Sequence, residues 1–320
     1  MDDAQIDVQI NEIQNAKDPT KIEISDINKV KEALDTISTF ANKIVASRKR
    51  SLLLMYYSDK CGSINSPDLD YLGAMLSQLP TGSDLDLILH TNGGDVSASY
   101  FIARLIRSKC SKLYFVVPHH AYSGGTAISL ASDHIEMGVT SKLSPIDIQL
   151  GDGKSTVALL NLDKYIDFVN YSVEKFALKD ETDKADIISK MMLKLYDNYK
   201  ALDLGELFRL RALHEIYATQ LLSSYMFRHS SDKNARAKGV VDNLTIGSPA
   251  HDFDIDINIA REFGLNVMEM DDQMFIDSKA LIRACMEEEE KGEICPFINK
   301  EMRIPFFKLF PYVVLNPKKS

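Results

Sequence analysis

Tryptophan is absent from the 320 residues, and the four cysteines (Cys61, Cys110, Cys285, Cys295) show neither a CxxC pair nor a zinc-finger spacing with histidine. A disulfide scaffold or a Cys/His metal site is therefore not what makes this chain fold, and a reducing compartment is expected. Glycine (15) and proline (10) are too sparse for a collagen-like or broadly disordered chain. No apolar run approaches the ~20 residues that span a bilayer. The acidic opening MDDAQIDVQINEIQN also lacks the charged-then-apolar layout of a signal segment, so a cytoplasmic protein without an integral membrane segment is expected. Basic excess is missing too: 37 Lys and Arg against 46 Asp and Glu give a net charge of -9. A protein that lives on nucleic-acid phosphates normally needs the opposite balance, so no nucleic-acid partner is expected.

What is present is 45% hydrophobic residues, enough for a full core. Residues 26–47 space Ile27, Val30, Leu34, Ile37 and Ile44 at helical intervals. This reads as an appended amphipathic helix whose stripe must meet either the main domain or another subunit. From Ser51 the pattern changes to strand-length runs, SLLLMYY, DLDLILH and KLYFVVP, each followed by turn residues and a helical stretch. That is a parallel βαβ signature, in which Ala98, Phe101, Ile102, Leu105 and Ile106 form the face of a crossover helix. From about 155 to 235 the strands give way to helices, and mixed structure returns near Gly247.

The chemistry concentrates in two glycine turns at consecutive strand ends, HTNGGDVS and HHAYSGGT. In open α/β sheets that edge is where ligands bind. Gly93, Gly94, Gly124 and Gly125 let a substrate approach the backbone closely. Either turn alone is most simply a tight strand-to-helix connection. Together, with a serine at the start of the second helix, they supply the parts of an acyl-transfer site. Ser123 would be the nucleophile beside a helix N-terminus, and the amides of Gly94, Asp95 and Gly124 would hold an oxyanion. The nearest candidate bases are His119 and His120, with Asp133 and Asp252 as candidate acids.

The blocks DLILHTNGGDVSASYFIARLIRS, VVPHHAYSGGTAISLASDHIEMGVTSKLSPIDIQLG and HDFDIDINIAREFGLNV resemble the serine dehydrogenase proteinase family. That family is a distant relative of the Clp protease proteolytic subunit and of signal-peptide peptidase A. The similarity covers about residues 48 to 270 and is thin between Ser155 and Ile246. It implies an α/β, Clp/crotonase-like fold with a helical insertion and terminal extensions. The expected parts are an N-terminal segment (1–47), a peptidase domain (48–275) with an insertion at about 155–235, and a C-terminal extension (276–320). By motif position the resemblance also implies a triad of Ser123, Asp147 in SPIDIQ and His251 in HDFDI. A peptide or protein substrate, a homo-oligomer and no metal or organic cofactor follow from the same likeness.

Several features depart from the family pattern. Members often carry a membrane-spanning N-terminal segment, which this sequence does not show. Ser144 stands where glycine is usual, and Asp254 where the family has proline. Lys142 suggests the Ser/Lys dyad of signal-peptide peptidases, but no matching lysine motif accompanies it. GDGKST lacks the first glycine of a phosphate loop, and HDFDIDIN lacks the glycine and glutamate of a calcium loop. An α/β-hydrolase esterase or thioesterase would need G-x-S-x-G, which Ala121 breaks. An inactive oligomeric scaffold of the same fold is the alternative outside the enzymes.

Overall fold

The computed structural model describes residues 24–291, apart from 78, 80–81, 147–148, 152–155, 176–180, 199–200 and 251, together with residues 312–315. In chain order the first elements are α1 (Ile24–Arg48), β1 (Ser51–Tyr56), α2 (Asp68–Leu76), β2 (Ser83–His90), α3 (Val96–Arg107), β3 (Cys110–Val117), β4 (His120–Ala121) and α4 (Gly124–Ser129). Next come β5 (His134–Met137), β6 (Lys142–Leu143), β7 (Gln149–Gly151), β8 (Thr156–Ala158), α5 (Leu159–Lys175), α6 (Glu181–Asn198) and α7 (Ala201–Leu221). After a π-helical turn at Leu222–Met226 follow α8 (Lys233–Leu244), α9 (Ile257–Glu262), β9 (Val267–Glu269), α10 (Asp272–Glu290) and β10 (Tyr312–Leu315).

The main sheet has six strands in the order β10-β1-β2-β3-β5-β9. All neighbours pair in parallel except β10, which runs antiparallel along the outer edge of β1. A parallel sheet is covered on both faces, which is why its strands are near-continuous apolar runs. Alternate residues serve two cores. Leu53, Met55, Leu87, Leu89, Phe115 and Val117 face one that includes residues of α2, α3, α7 and α8. Leu52, Leu54, Tyr56, Ile88 and Val116 face the other, shared with α1 and α10.

From Ala33 onward the stripe on α1 is therefore spent within the chain. Ala33, Leu34, Ile37, Ala41, Ile44 and Val45 are all buried in the second core. Lys43 Nζ reaches Asp277 of α10 at 2.6 Å. At the end of α1, Arg48 bonds to the buried Asp86 at 3.0 Å and to Glu136 at 2.6 Å, a fork between β2 and β5. The helix that reads as appended, and as a candidate for subunit contact, is a wall of the core.

The helices α5, α6 and α7 hold a small core of their own around Leu162, Leu195, Leu204 and Leu207. A hairpin of β7 and β8 precedes them, so strand structure extends slightly past the point where the sequence pattern loses it. The end of α7 returns to the first core through Ala218 and Leu221. Cys110 and Cys285 are free and buried, while Cys61 is disulfide-bonded, which departs from the expectation of wholly reduced thiols. Among the described residues no helix is long and apolar enough to cross a membrane.

Candidate active site

Parallel pairing of β2 with β3 carries both glycine turns to the same sheet edge. Beyond the strands the turns stay in register: Thr91 bridges Ala121, the Thr91 amide donates to His120 O (3.2 Å) and the Tyr122 amide to Thr91 O (3.0 Å). Their contact depends on missing side chains. A Cβ on Gly93 would lie 2.9 Å from Ser123 Cβ, and one on Gly124 only 3.3 Å from the Gly94 amide nitrogen. At Gly94, with φ +154°, a Cβ would sit 2.2 Å from the carbonyl oxygen of Ile64. The loop holding Ile64 forms the outer strand of this lattice, donating to Gly93 O (3.0 Å) and accepting from the Asp95 amide (2.8 Å).

Ser123 adopts φ 47° and ψ -106°, a left-handed backbone rare for a residue with a side chain. Such a conformation costs on the order of 1–3 kcal/mol and persists only where its surroundings enforce it. Here Gly125 N donates to Tyr122 O (2.8 Å), Ala127 N to Ser123 O (2.9 Å), and Ser123 N to Ser144 Oγ (2.8 Å). The hydroxyl does not cap α4, and among the described residues it has no hydrogen-bond partner. It stands half-buried. Beside it, the amides of Gly94 and Gly124 also lack acceptors among the described residues. The third expected donor is occupied: the Asp95 amide is held by Ile64 O, and the Asp95 carboxylate caps α3 by accepting from Ala98 N at 2.6 Å. With only six residues, α4 has too little length for a large macrodipole, so specific amides must provide any anion stabilisation.

Two later segments close the site. The strand β6 pairs in parallel with β4, and Leu143 exchanges both backbone hydrogen bonds with Ile255 (2.9 and 3.0 Å). Next to Ser123, the Tyr122 hydroxyl donates to Asp254 Oδ1 at 2.8 Å, and Lys142 forms an ion pair with Asp254 Oδ2. Burial pulls the Asp254 carboxyl up, but the hydrogen bonds from Lys142 and Tyr122 outweigh it and hold the group below the carboxylate range. Burial and the bond to Asp254 push the Tyr122 phenol up to about 12. Lys142 is thus engaged with a carboxylate. Asp147 and His251 themselves lie outside the described residues. Their described neighbours, 142–146 and 252–255, are the segments that meet at the serine turn.

The rival bases are poorly suited. His120 Nε2 pairs with Asn92 Oδ1 at 2.9 Å, its ring stacks on Tyr122, and burial, His119 and Lys142, against the opposing pull of Asp254, push it down to about 4. Burial, then Lys279 and Arg283, lower His119 as well. Of the rival acids, Asp133 accepts from Arg107 (2.7 Å), from Arg228 and from the Leu113 amide (2.8 Å) at the start of β5, the sheet end opposite the glycine turns. Its surroundings make it structural. Asp252 is exposed.

These two glycine turns and the serine between them fall inside a recognised stretch. Residues 68–208 match the ClpP-like SDH-type serine proteinases. The match includes Gly94, Ser123, Gly124 and Asp147 and ends before His251. An uncharacterized protein of Methanocaldococcus jannaschii is 30% identical over 190 residues, which is 59% of this chain and 54% of that protein. A second uncharacterized protein of the same organism is 28% identical over 189 residues, 59% of this chain and 53% of its own length. The chain thus spans about half the length of the curated relatives it matches. No solved structure matches.

Two residues of the site carried no signal in the sequence. Ser144 reads as a mere departure from glycine, yet its hydroxyl takes the Ser123 amide. His90 reads only as the last residue of a strand, and its ring is buried against Tyr56 (5.3 Å) and His120 (4.2 Å), with no partner for Nδ1 among the described residues. The alternating acids of HDFDIDIN do have local explanations. Asp254 engages Tyr122 and Lys142, and Asp256 caps α9 by accepting from the Asn258 and Ile259 amides at 2.8 and 2.9 Å.

Proposed function

We propose that this chain is a serine peptidase in which Ser123 attacks a peptide carbonyl and the Gly94 and Gly124 amides hold the developing oxyanion. The observation that carries the reading is the Ser123 backbone: φ 47° beside two amides that find no acceptor among the described residues, with a hydroxyl that does no capping. A purely structural Ser N-cap would use its oxygen on the helix and would need no strain. His251 is the proposed general base and Asp147 the group that orients it. Support comes from the family match and from the pairing of 142–143 with 120–121 and 255 beside the nucleophile. In that scheme His251 takes the Ser123 proton and returns it to the leaving amine, and water then releases the acyl-enzyme. The parallel sheet with its glycine turns is the proposed Clp/crotonase-like core of a peptidase domain over 48–275, interrupted by the helices between 155 and 235.

We also retain the homo-oligomer as a proposal. Since α1 from Ala33 onward packs in the core, that stretch is not free for subunit contacts, whereas α5, α6 and α7 expose Phe168, Tyr171, Leu193 and Leu202. A fluorophosphonate probe tests the chemistry directly. The wild type should be labelled and Ser123→Ala should not, and casein or a peptide panel then separates peptidase from esterase. A folded wild type that takes no label would refute the serine-hydrolase reading and favour the scaffold.

A further inference from the structure

We propose that Tyr122 is a positioning residue for the nucleophile: clamped at its hydroxyl by Asp254 and on its ring by His120, it keeps Ser123 in the strained backbone that presents the attacking oxygen. This rests on Ser123 acting as the nucleophile. A φ of 47° at a residue with a side chain persists only where something prevents its relaxation. Both flanks of the turn are anchored. The helix α4 is buried over its whole length, and Ala121 O accepts from Thr126 Oγ1 of that helix at 2.9 Å. The chain can therefore ease the strain only by swinging the two residues between, Tyr122 and Ser123. Of these, Tyr122 has the side chain that is held.

Its two ends are gripped by different segments. The hydroxyl donates to Asp254 Oδ1 at 2.8 Å, and Asp254 is itself ion-paired with Lys142. The ring stacks on His120, with centroids 4.5 Å apart at 18°. His120 is fixed in turn, because its Nε2 pairs with Asn92 Oδ1 at 2.9 Å while Asn92 Nδ2 donates to Asp59 Oδ1 at 2.9 Å. Asn92 immediately precedes Gly93, and Asp59 lies five residues before Ile64, so the clamp links the nucleophile turn to both segments of the glycine lattice. Asp254 and Lys142 are each nearly half-exposed, and such a pair adds little to global stability. Its weight falls on a local balance instead. A small bonding energy set against the strain at Ser123 shifts the ratio of presented to relaxed backbone several-fold. Removing the clamp releases the strain together with the bond, so the loss appears in rate and hardly in stability.

The test uses the full chain and a fluorophosphonate, with the maximal inactivation rate and the half-saturating probe concentration measured separately. Tyr122→Phe keeps the ring on His120 and removes only the hydroxyl, whereas Asp254→Ala removes its acceptor. Each should lower the maximal rate about fivefold, with half-saturation within about twofold and Tm within about 2 °C of the wild type. The double variant should also be about fivefold slow, not ~25-fold, because both substitutions delete one bond. Asp254→Asn loses the charge but keeps an oxygen that accepts from the phenol, so it should recover most of the rate lost in Asp254→Ala. Single variants that inactivate at the wild-type rate, losses that multiply in the double variant, or a Tm that falls in step with the rate would overturn the clamp and leave the nucleophile standing. An Asp254→Asn as slow as Asp254→Ala would assign the effect to the charge and overturn it as well. A folded wild type that takes no label would overturn the nucleophile and the clamp with it.

Discussion

His90 should make this protein sensitive to mild acid. Burial, reinforced by His120 and His119, lowers its pKa from 6.5 to about 3. Between those values the unfolded chain takes a proton that the native state refuses. The stabilising contribution is thus complete above about pH 6.5 and is lost progressively as the pH falls towards 3. At pH 5 the unfolded side chain is almost fully charged, and the loss from this one residue is about 2 kcal/mol. In a large domain a loss of that size lowers Tm by about 4 °C. His90→Phe keeps a ring against Tyr56 and removes both the titration and the buried Nδ1. Melting both proteins at pH 7 and pH 5 isolates the effect, because every other titrating group is shared. The wild type should lose about 4 °C more than the variant over that interval. Equal losses would show that His90 is protonated or solvated in the native protein, and the reasoning from its burial would fail.

Two further outcomes are expected. Ser144→Ala removes the acceptor of the Ser123 amide, which should cost about 1–2 kcal/mol of stability and slow fluorophosphonate labelling by a larger factor than stability explains. Unchanged labelling and Tm would mean that the amide has another acceptor. Arg48→Met strips the cation from between Asp86 and Glu136, two carboxylates almost wholly buried on the sheet face. Arg50 stays on Asp86 at 3.2 Å, so urea unfolding should show a loss of about 2 kcal/mol, below that of a wholly unpaired buried charge. Arg48→Lys should recover little of it, since an ammonium cannot bridge two strands as the guanidinium fork does.

The strands and turns were legible because their signals are local. SLLLMYY and KLYFVVP are short apolar runs of strand length, and the glycines after DLDLILH and KLYFVVP mark where backbone meets backbone. Juxtaposition was less legible. The stripe of α1 announces an apolar face, but only the fold reveals that α10, more than 200 residues later, covers it. Asp133 reads as a candidate acid by proximity in sequence to Ser123, yet the intervening helix carries it to the far end of the sheet, where two arginines hold it. His90 and Ser144 were silent because their roles come from neighbours contributed by other segments. A single hydroxyl or imidazole has no periodicity.

The backbone at position 123 also narrows which nucleophiles this scaffold could use. A positive φ tolerates an unbranched side chain at some cost but crowds a β-branched one severely. Threonine offers the same hydroxyl as serine and differs by a single methyl group, yet it would have to unwind the very turn that aims the oxygen. Cysteine, a chemically larger change, fits the same torsions. Among the three common attacking residues, the turn excludes the closest chemical relative of serine and admits the more distant one, so conformation rather than reactivity limits what position 123 can hold.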